Sequence, residues 1–515
     1  MLFGTPDYIV LVLYLIGVAI FGLKISGKQQ STKEYFLGGE GIPWWAVLFS
    51  VVATETSTLT FISIPAVAYG GNLTFLQITL GYIVGRFFVA IYFLPKYYDG
   101  EMYTAYQFLE KRFGPSMRNA ASSTFMITRL LADGVRLFAT AIPLAIILRL
   151  GGAFTGWGDL ELYLLSISVI AVITLIYTFF GGIKAVVWMD VIQMGVYIGG
   201  AVLALFILLN KIPDGWQGVV QFAEPGNKFQ MFRLGFDLPF KEFIAQPYTF
   251  FTALIGGAVF SLASHGTDQL LVQRLLATGN LKSGQKALAW SGVVVMFQFA
   301  LFLVIGLMLY AFYEGVSPDG LGLATTDEIF AKFIVEQLPA GISGLIVAAL
   351  FAAAMSSLSS SLNSLASATT YDFYKPYFGK EDNPEKDLKT SKIITLVWGF
   401  ILTGSAFLFA LLQLQAGERP TVVELGLGIA SYTYGGLLGS FLLGIFSEKP
   451  NKKDAMLGFF TGLITLLFMV NGPVQNILPG EGLVIAWPLY TMVGSIVVIS
   501  VGLISSKTGL FRKEA

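Results

Sequence analysis

Apolar runs near twenty residues long recur from one end of the chain to the other, and nothing else in the sequence constrains the fold as much. About 20 residues of helix cross the hydrocarbon core of a bilayer. Inside that core each backbone N–H and C=O must be satisfied within the segment or by a closed barrel, so runs of this length are read as helices. Only 12% of the 515 residues are charged, against about a quarter in a soluble chain. The chain is therefore read as an all-α polytopic membrane protein set in the lipid bilayer. Thirteen transmembrane helices are expected, over roughly 7–24, 43–70, 73–96, 119–149, 160–181, 184–210, 246–273, 286–312, 336–372, 391–413, 421–447, 454–472 and 483–506.

The first run, Tyr8–Leu23, has no basic leader and no small-residue cleavage site, and is read as a retained helix. With the N-terminus placed outside, the inner segments hold 22 Lys and Arg and the outer segments 7, while Arg86, Arg129 and Arg136 fall within spans. That asymmetry predicts an outer N-terminus and a cytoplasmic C-terminus, in the plasma (inner) membrane. A net charge of zero makes no case for nucleic acid, and the absence of cysteine excludes disulfides. The longest non-membrane loop, about 211–245, lies outside. No metal-spaced Cys/His cluster, phosphate loop or nucleophile elbow is present, so neither an enzyme nor an organic cofactor is expected.

Polar side chains within a bilayer are costly, and mark function by default. In 53-ATETSTLTFISIP-65, hydroxyls crowd the middle of a span together with Glu55. Broken helices in transporters place unwound carbonyls and helix ends at their sites; a Ser/Thr seam for helix packing is the alternative. In 177-YTFFGGIKAVVWMDVIQ-193, the glycine pair suits a tight cytoplasmic turn, and Asp190 lies two turns into the next helix. A carboxylate there needs a cation or hydrogen-bond donors. In 355-MSSLSSSLNSLAS-367, helical spacing puts Ala353, Ser356, Ser357, Ser360, Ser361 and Ser364 on one stripe, and Leu358, Leu362 and Leu365 on another. Neutral hydroxyl and carbonyl oxygens suit a weakly held monovalent cation, although serine seams also serve close packing. In 129-RLLADGVR-136, Arg129, Asp133 and Arg136 share a face. A guanidinium not engaged by Asp133 could hold a carboxylate bidentately; a structural ion-pair ladder is the alternative. The lone histidine sits in 261-SLASHGTDQLLVQR-274, as a solute contact or a packing residue.

With these stretches in place, the chain resembles the sodium/solute symporter family, which includes sodium/glucose, sodium/proline, vitamin and sialic-acid transporters. The resemblance is carried by Ala53–Pro65, Tyr106–Gly114 (YQFLEKRFG), Tyr177–Gln193, Gln273–Arg274, Ala353–Ser360, Asp372–Lys375 (DFYK) and Ser431–Phe446. It implies a LeuT-like core of two inverted five-helix repeats, over 43–210 and 246–447. Residues 1–42 would form a leading helix and cytoplasmic loop, 211–245 an extracellular loop, and 448–515 two trailing helices and a tail.

The resemblance also implies ion sites. The family's common sodium site maps onto Ala53, Thr56, Ala353, Ser356 and Ser357. The second site found in some members maps onto Asp190, Ser356, Ser359 and Ser360. Two sodium ions per cycle are expected; the alternative is one, with Asp190 serving the gate. Thr58, Thr60, Gln77, Ser261, Ser264 and His265 are expected to line the solute cavity. Sugar-transporting members use a lysine on core helix seven, and 287–312 has no charged residue. Acid-transporting members use an arginine on core helix three, where this chain has Arg129 and Arg136. Sodium-coupled symport of a small organic anion, such as a sialic acid or a monocarboxylate, is therefore expected, by a monomer working through alternating access. A sodium/sugar or sodium/amino-acid symporter is the alternative, as is a proton-coupled one with Glu55, Asp133 or Asp190 as carrier. A channel would need a continuous polar pore, and a sensor on this fold an appended domain, which the short tail after Ser506 is read as lacking.

Overall fold

The computed structural model describes residues 4–25, 27–39, 41–150, 152, 154, 156–379, 383–416, 422–470 and 485–511. Lys380, Arg419, Arg512 and Lys513, part of the charge asymmetry above, lie outside the described residues, as do the first residues of the expected spans 421–447 and 483–506 and the last two of 454–472. Among the described residues every regular element is helical.

The leading helix α1 (Thr5–Ile25) turns Ile9, Leu13, Ile16 and Ile20 outward, each about half exposed. In water such a face would be a liability; in a bilayer it is the face that meets lipid. The next span is two helices, α2 (Trp44–Glu55) and α3 (Thr58–Gly70), bent by 64°. Thr56 (φ −88°, ψ 116°) and Ser57 (φ −109°, ψ 175°) are extended. A continuous helix would send the Ser57 N–H to the Ala53 carbonyl; here it donates to Thr60 Oγ1 at 3.3 Å. Serine and threonine make such a break affordable because their hydroxyls offer the backbone a substitute partner. The break expected in Ala53–Pro65 is therefore present.

After α4 (Gln77–Phe88) and α5 (Pro115–Leu150) comes α6 (Asp159–Lys211), 53 residues long and broken in direction at Gly182, with φ 55° and ψ −156°. A side chain at 182 would be strained by that positive φ and would meet the Tyr35 ring at 2.8 Å. The glycine pair is thus the turn between two spans that the sequence suggested. The remaining long elements are α7 (Phe250–Gly266), α8 (Gln269–Leu276), α9 (Leu281–Phe312), α10 (Ile342–Ala368), α11 (Pro384–Ala416), α12 (Val422–Phe446), α13 (Lys452–Val470) and α14 (Tyr490–Thr508). A second break, at Thr267–Asp268, separates α7 from α8.

Nine helices among the described residues are long and apolar enough to cross a membrane, or ten with the bent α2–α3 pair counted as one. The expected thirteen further requires dividing α6 at Gly182 and counting α12 and α13. The chain is a multi-pass membrane protein.

Helix α10 carries the serine-rich stretch, and nearly all of it is buried. Its leucines do not face lipid: Leu358, Leu362 and Leu365 are as enclosed as the serines. Its N-terminus is held by the leading helix. Asp7 of α1 accepts from the N–H groups of Gly341 (2.7 Å) and Gly344 (2.8 Å), capping orphan donors of α10. Gly344 permits the approach, since a Cβ there would meet Asp7 Cα at 2.6 Å. Asp7→Ala is expected to cost about 1–2 kcal/mol, the usual worth of an N-cap, measured as a lower Tm of the purified protein. An unchanged Tm would show that α10 does not depend on this cap.

Candidate functional site

Three polar regions meet around the break in α2–α3. The first is a small pocket lined by Ala53, Thr56, Gln193, Met194, Tyr197, Ala352, Ala353 and Ser356. Helix α10 is tied to the broken span on either side of it. Thr58 Oγ1 donates to the Leu350 carbonyl at 3.1 Å, and Thr54 Oγ1 lies 3.0 Å from Ser360 Oγ. Gln298, buried in the apolar stretch of α9, donates to Thr56 Oγ1 at 2.7 Å and to Tyr197 at 3.3 Å, so it braces the break. Four of the five residues expected at the common sodium site, Ala53, Thr56, Ala353 and Ser356, therefore lie together. Ser357 does not join them. Its buried hydroxyl faces a separate pocket with Asp133, Arg136, Leu137 and Thr140. Successive helical residues point about 100° apart, so adjacent serines serve different neighbours here. Gln193 adds a buried amide to the first pocket; the sequence placed it three residues after Asp190 without giving it a role.

The second region surrounds Asp190, which is fully buried. Ser356 Oγ donates to Oδ1 at 2.6 Å and Ser50 Oγ to Oδ2 at 2.5 Å. The Arg274 guanidinium lies 3.5 Å from Oδ2. Arg274, also fully buried, donates to Ser50 Oγ (3.0 Å), to the Leu270 carbonyl (2.8 Å) and to Ser360 Oγ. Asp190, Ser356 and Ser360 are thus brought together as expected, but with a guanidinium among them. Ser359 is turned to the backbone, donating to the Ser356 carbonyl at 3.0 Å. The sequence signal for Arg274 was a buried acid in need of a cation. Periodicity could not show that a residue 84 positions on in the chain would supply it.

The third region is a larger cavity walled by Phe75, Tyr82, Phe260, Phe299 and Tyr434, with Glu55, Thr60, Arg129, Arg136, Ser264 and His265 as its main polar lining. The two arginines of α5 differ. Arg129 is engaged three ways, by Asp268 (2.5 Å), Tyr434 (2.6 Å) and Asp133 (3.4 Å). Asp268 in turn caps α8 through the Leu270 N–H at 2.9 Å. Arg129 therefore fastens α5 to the second helix break. Arg136 has only a 3.5 Å contact with Asp133 and keeps 19% exposure. Asp133 is held more firmly by Ser361, at 2.6 Å. Among the described residues Arg136 is thus the less engaged of the two guanidinium groups, held by Asp133 alone.

Of the other expected lining residues, Thr60, Ser264 and His265 reach the cavity and three do not. Thr58 points to α10, as above. Ser261 donates to the Tyr82 carbonyl at 3.1 Å. Gln77 is engaged by the carbonyls of Thr74 (3.1 Å) and Tyr248 (2.9 Å) and by the Arg233 N–H (3.3 Å). Each hydroxyl or amide that turned away from the cavity found a backbone partner, as buried polar groups must.

A family model described as "Sodium:solute symporter family" matches residues 35–462. The chain is 30% identical over 512 residues to the sodium/sialic acid symporter NanT of Aliivibrio fischeri, covering 98% of this chain and 93% of that one. A solved structure, of a Na+-coupled sialic acid symporter in a substrate-bound outward-open state with a novel Na+ site, superposes with a TM-score of 0.83. It is 28% identical in sequence, with 98% of each chain covered. The crystal structure of MhsT in complex with L-phenylalanine superposes with a TM-score of 0.51 at 15% identity, over 90% of this chain and 99% of that one. That last likeness concerns the fold alone, which is LeuT-like.

Proposed function

Because the chain belongs to the sodium:solute symporter family, we propose that it imports an organic acid on the sodium gradient, with sialic acid as the leading solute. The observation that carries this is Arg136, a guanidinium lining a cavity beside a broken helix and held, among the described residues, only by a 3.5 Å contact with Asp133. An arginine so placed suits a carboxylate, which takes two parallel N–H bonds in its plane. NanT and the structural neighbour are sialic acid symporters by description. The protein works in the inner membrane, N-terminus outside and C-terminus inside, as a monomer with its two repeats at 43–210 and 246–447.

Sodium is a co-substrate. One ion binds the carbonyls of Ala53 and Thr56 with Ala353 and Ser356, joining the α2–α3 break to α10. Neutral oxygens hold it weakly enough to let it go. A second ion uses Asp190, Ser356 and Ser360. There it shares one carboxylate with Arg274, so it enters as the guanidinium loosens its hold on Ser360. Each elementary charge crossing about 100 mV contributes about 2.3 kcal/mol to uphill transport. Coupling follows if sodium binds the outward-facing state better than the inward-facing one.

The test is uptake of labelled N-acetylneuraminate into proteoliposomes under an inward sodium gradient, with a pH gradient and potassium as controls. Saturable uptake that needs sodium is expected; uptake driven by pH alone would overturn the ion assignment. Ser356→Ala should raise the half-saturating sodium concentration about tenfold, one lost hydrogen-bonding oxygen being worth about 1–1.5 kcal/mol. Ser357→Ala should raise it much less, because its hydroxyl faces α5. The reverse order would move the ion to the other face of α10.

A further inference from the structure

The long loop at 211–245 carries a run of exposed apolar side chains. Met231, Phe232 and Leu234 are each about half exposed, and Phe236 and Phe240 are 73% and 76% exposed. Their backbone is fixed. Gly235, at φ 79°, turns the chain between Leu234 and Phe236, and a Cβ there would meet the Phe243 ring at 3.1 Å. The Arg233 carbonyl accepts from the Phe250 N–H at 2.7 Å, and the Ile244 carbonyl from the Ala486 N–H at 2.8 Å. Phe250 is the first residue of α7, and Ala486 lies four residues before α14. Both flanks of the run are thus pinned to the ends of membrane-spanning helices, at the level of the bilayer surface.

A contiguous exposed apolar surface marks contact with a membrane or with another protein. Two observations choose the membrane. The Phe236 ring lies 5.5 Å from the Phe251 ring. Phe251 and, one turn on, Ile255 are the exposed apolar face of α7, the face that a spanning helix turns to lipid. The run therefore continues a surface already in the bilayer. Charge makes the second point. Residues 231–242 hold two bases, Arg233 and Lys241, and two acids, Asp237 and Glu242, interleaved with the apolar side chains. Such interleaving suits the boundary between headgroups and acyl chains, and the balance of signs selects no charged partner.

We propose that Met231–Phe240 is a membrane anchor, whose phenyl groups enter the leaflet at the N-terminal end of α7 to about 5–10 Å into the boundary between headgroups and acyl chains. The partner is the lipid itself, through its apolar chains, without preference for headgroup charge. The anchor bears on transport through the backbone it fixes. The Arg233 N–H donates to Gln77 Oε1 at 3.3 Å, and Gln77 Nε2 donates to the Tyr248 carbonyl at 2.9 Å. The run thus ties the first residue of α4 to the approach to α7, two residues from Phe75, which walls the solute cavity. Lipid that holds the run steadies the rim of that cavity.

The chain has no cysteine, so a single introduced cysteine takes a label at one position only. Phe236→Cys and Phe240→Cys each carry an environment-sensitive fluorophore, with Ile255→Cys as the bilayer reference and the exposed Glu224→Cys as the water reference. Both side chains replaced in the run are exposed, and a Tm equal to the parent's checks each labelled protein. In nanodiscs, phosphatidylcholine brominated high on its acyl chains should remove most of the fluorescence of both loop probes. Aqueous iodide should quench them far less than it quenches Glu224→Cys, and added phosphatidylglycerol should change neither result. Spin labels on the same cysteines give an independent reading, with oxygen expected to reach them better than an aqueous nickel chelate does. Iodide quenching at the level of Glu224→Cys would overturn the proposal, since the loop then stands in water. Shielding from both bromolipid and iodide would also overturn it, in favour of a protein cover, from this chain or a second copy. Bromolipid quenching that appears only with anionic lipid would replace the apolar contact with an electrostatic one.

Discussion

Arg136→Gln is expected to abolish sodium-driven uptake of organic acids, with solute binding weakened about a hundredfold or more. A bidentate carboxylate pair loses two charge-assisted hydrogen bonds, each worth roughly 1.5–3 kcal/mol. Arg136→Lys keeps the charge but not the planar fork, so it should retain part of the affinity. Sodium-dependent binding and uptake check both variants. Arg129→Gln separates the two arginines. Arg129 is held by Asp268, Tyr434 and Asp133, so its loss should show first as a lower Tm, with the buried Asp268 left without its cation. If instead Arg129→Gln binds no acid at unchanged Tm while Arg136→Gln binds normally, the anchor has been assigned to the wrong residue.

The second large effect concerns Asp190 and Arg274. Asp190→Ala leaves a fully buried guanidinium without its carboxylate, and breaking a buried pair from one side costs about 3–5 kcal/mol. Removing both charges, as Asp190→Ala with Arg274→Met, should recover most of that stability, because an apolar pair of similar volume avoids the desolvation penalty. Transport then distinguishes the roles. If a second sodium ion uses Asp190, the double variant is stable, but its uptake depends on sodium with a Hill coefficient near one while the parent lies clearly above it. A parent coefficient of one would leave Asp190–Arg274 as a structural pair bracing α6 against α8 and α10. Retained stability in Asp190→Ala alone would contradict the buried pairing itself.

How much of this was legible beforehand varies with the kind of residue. The break at Thr56–Ser57 could be anticipated, because hydroxyls crowding mid-span give the backbone a local alternative to helix bonds. The turn at Gly182 was equally local, since a positive φ next to a close backbone calls for glycine. Asp190 was marked by cost, because an acid two turns inside a membrane helix must find partners. Ser356 was set beside it by the family resemblance alone, and its other partners, Ser50 and Arg274, which come from separate segments, were not marked. The same limit applied to the arginines of RLLADGVR. Helical spacing put Arg129, Asp133 and Arg136 on one face and left them equivalent. Asp268 and Tyr434, from distant segments, engage Arg129, and among the described residues Arg136 keeps only its 3.5 Å contact with Asp133.

The sequence by itself determined the solvent and the secondary structure. A chain with recurring apolar runs and few charges has only helices available inside a bilayer, and its helix breaks fall where side chains can replace backbone partners. Those are consequences of composition and of neighbours within a turn or two. The tertiary structure decided which polar groups remain unengaged. Ser357 faces α5 rather than the pocket with Ser356, Gln77 turns to the backbone, and His265 Nε2 has no hydrogen-bond partner among the described residues. Those outcomes depend on which helix comes to lie opposite each side chain, and residues far apart in the chain have no periodicity in common that would announce it.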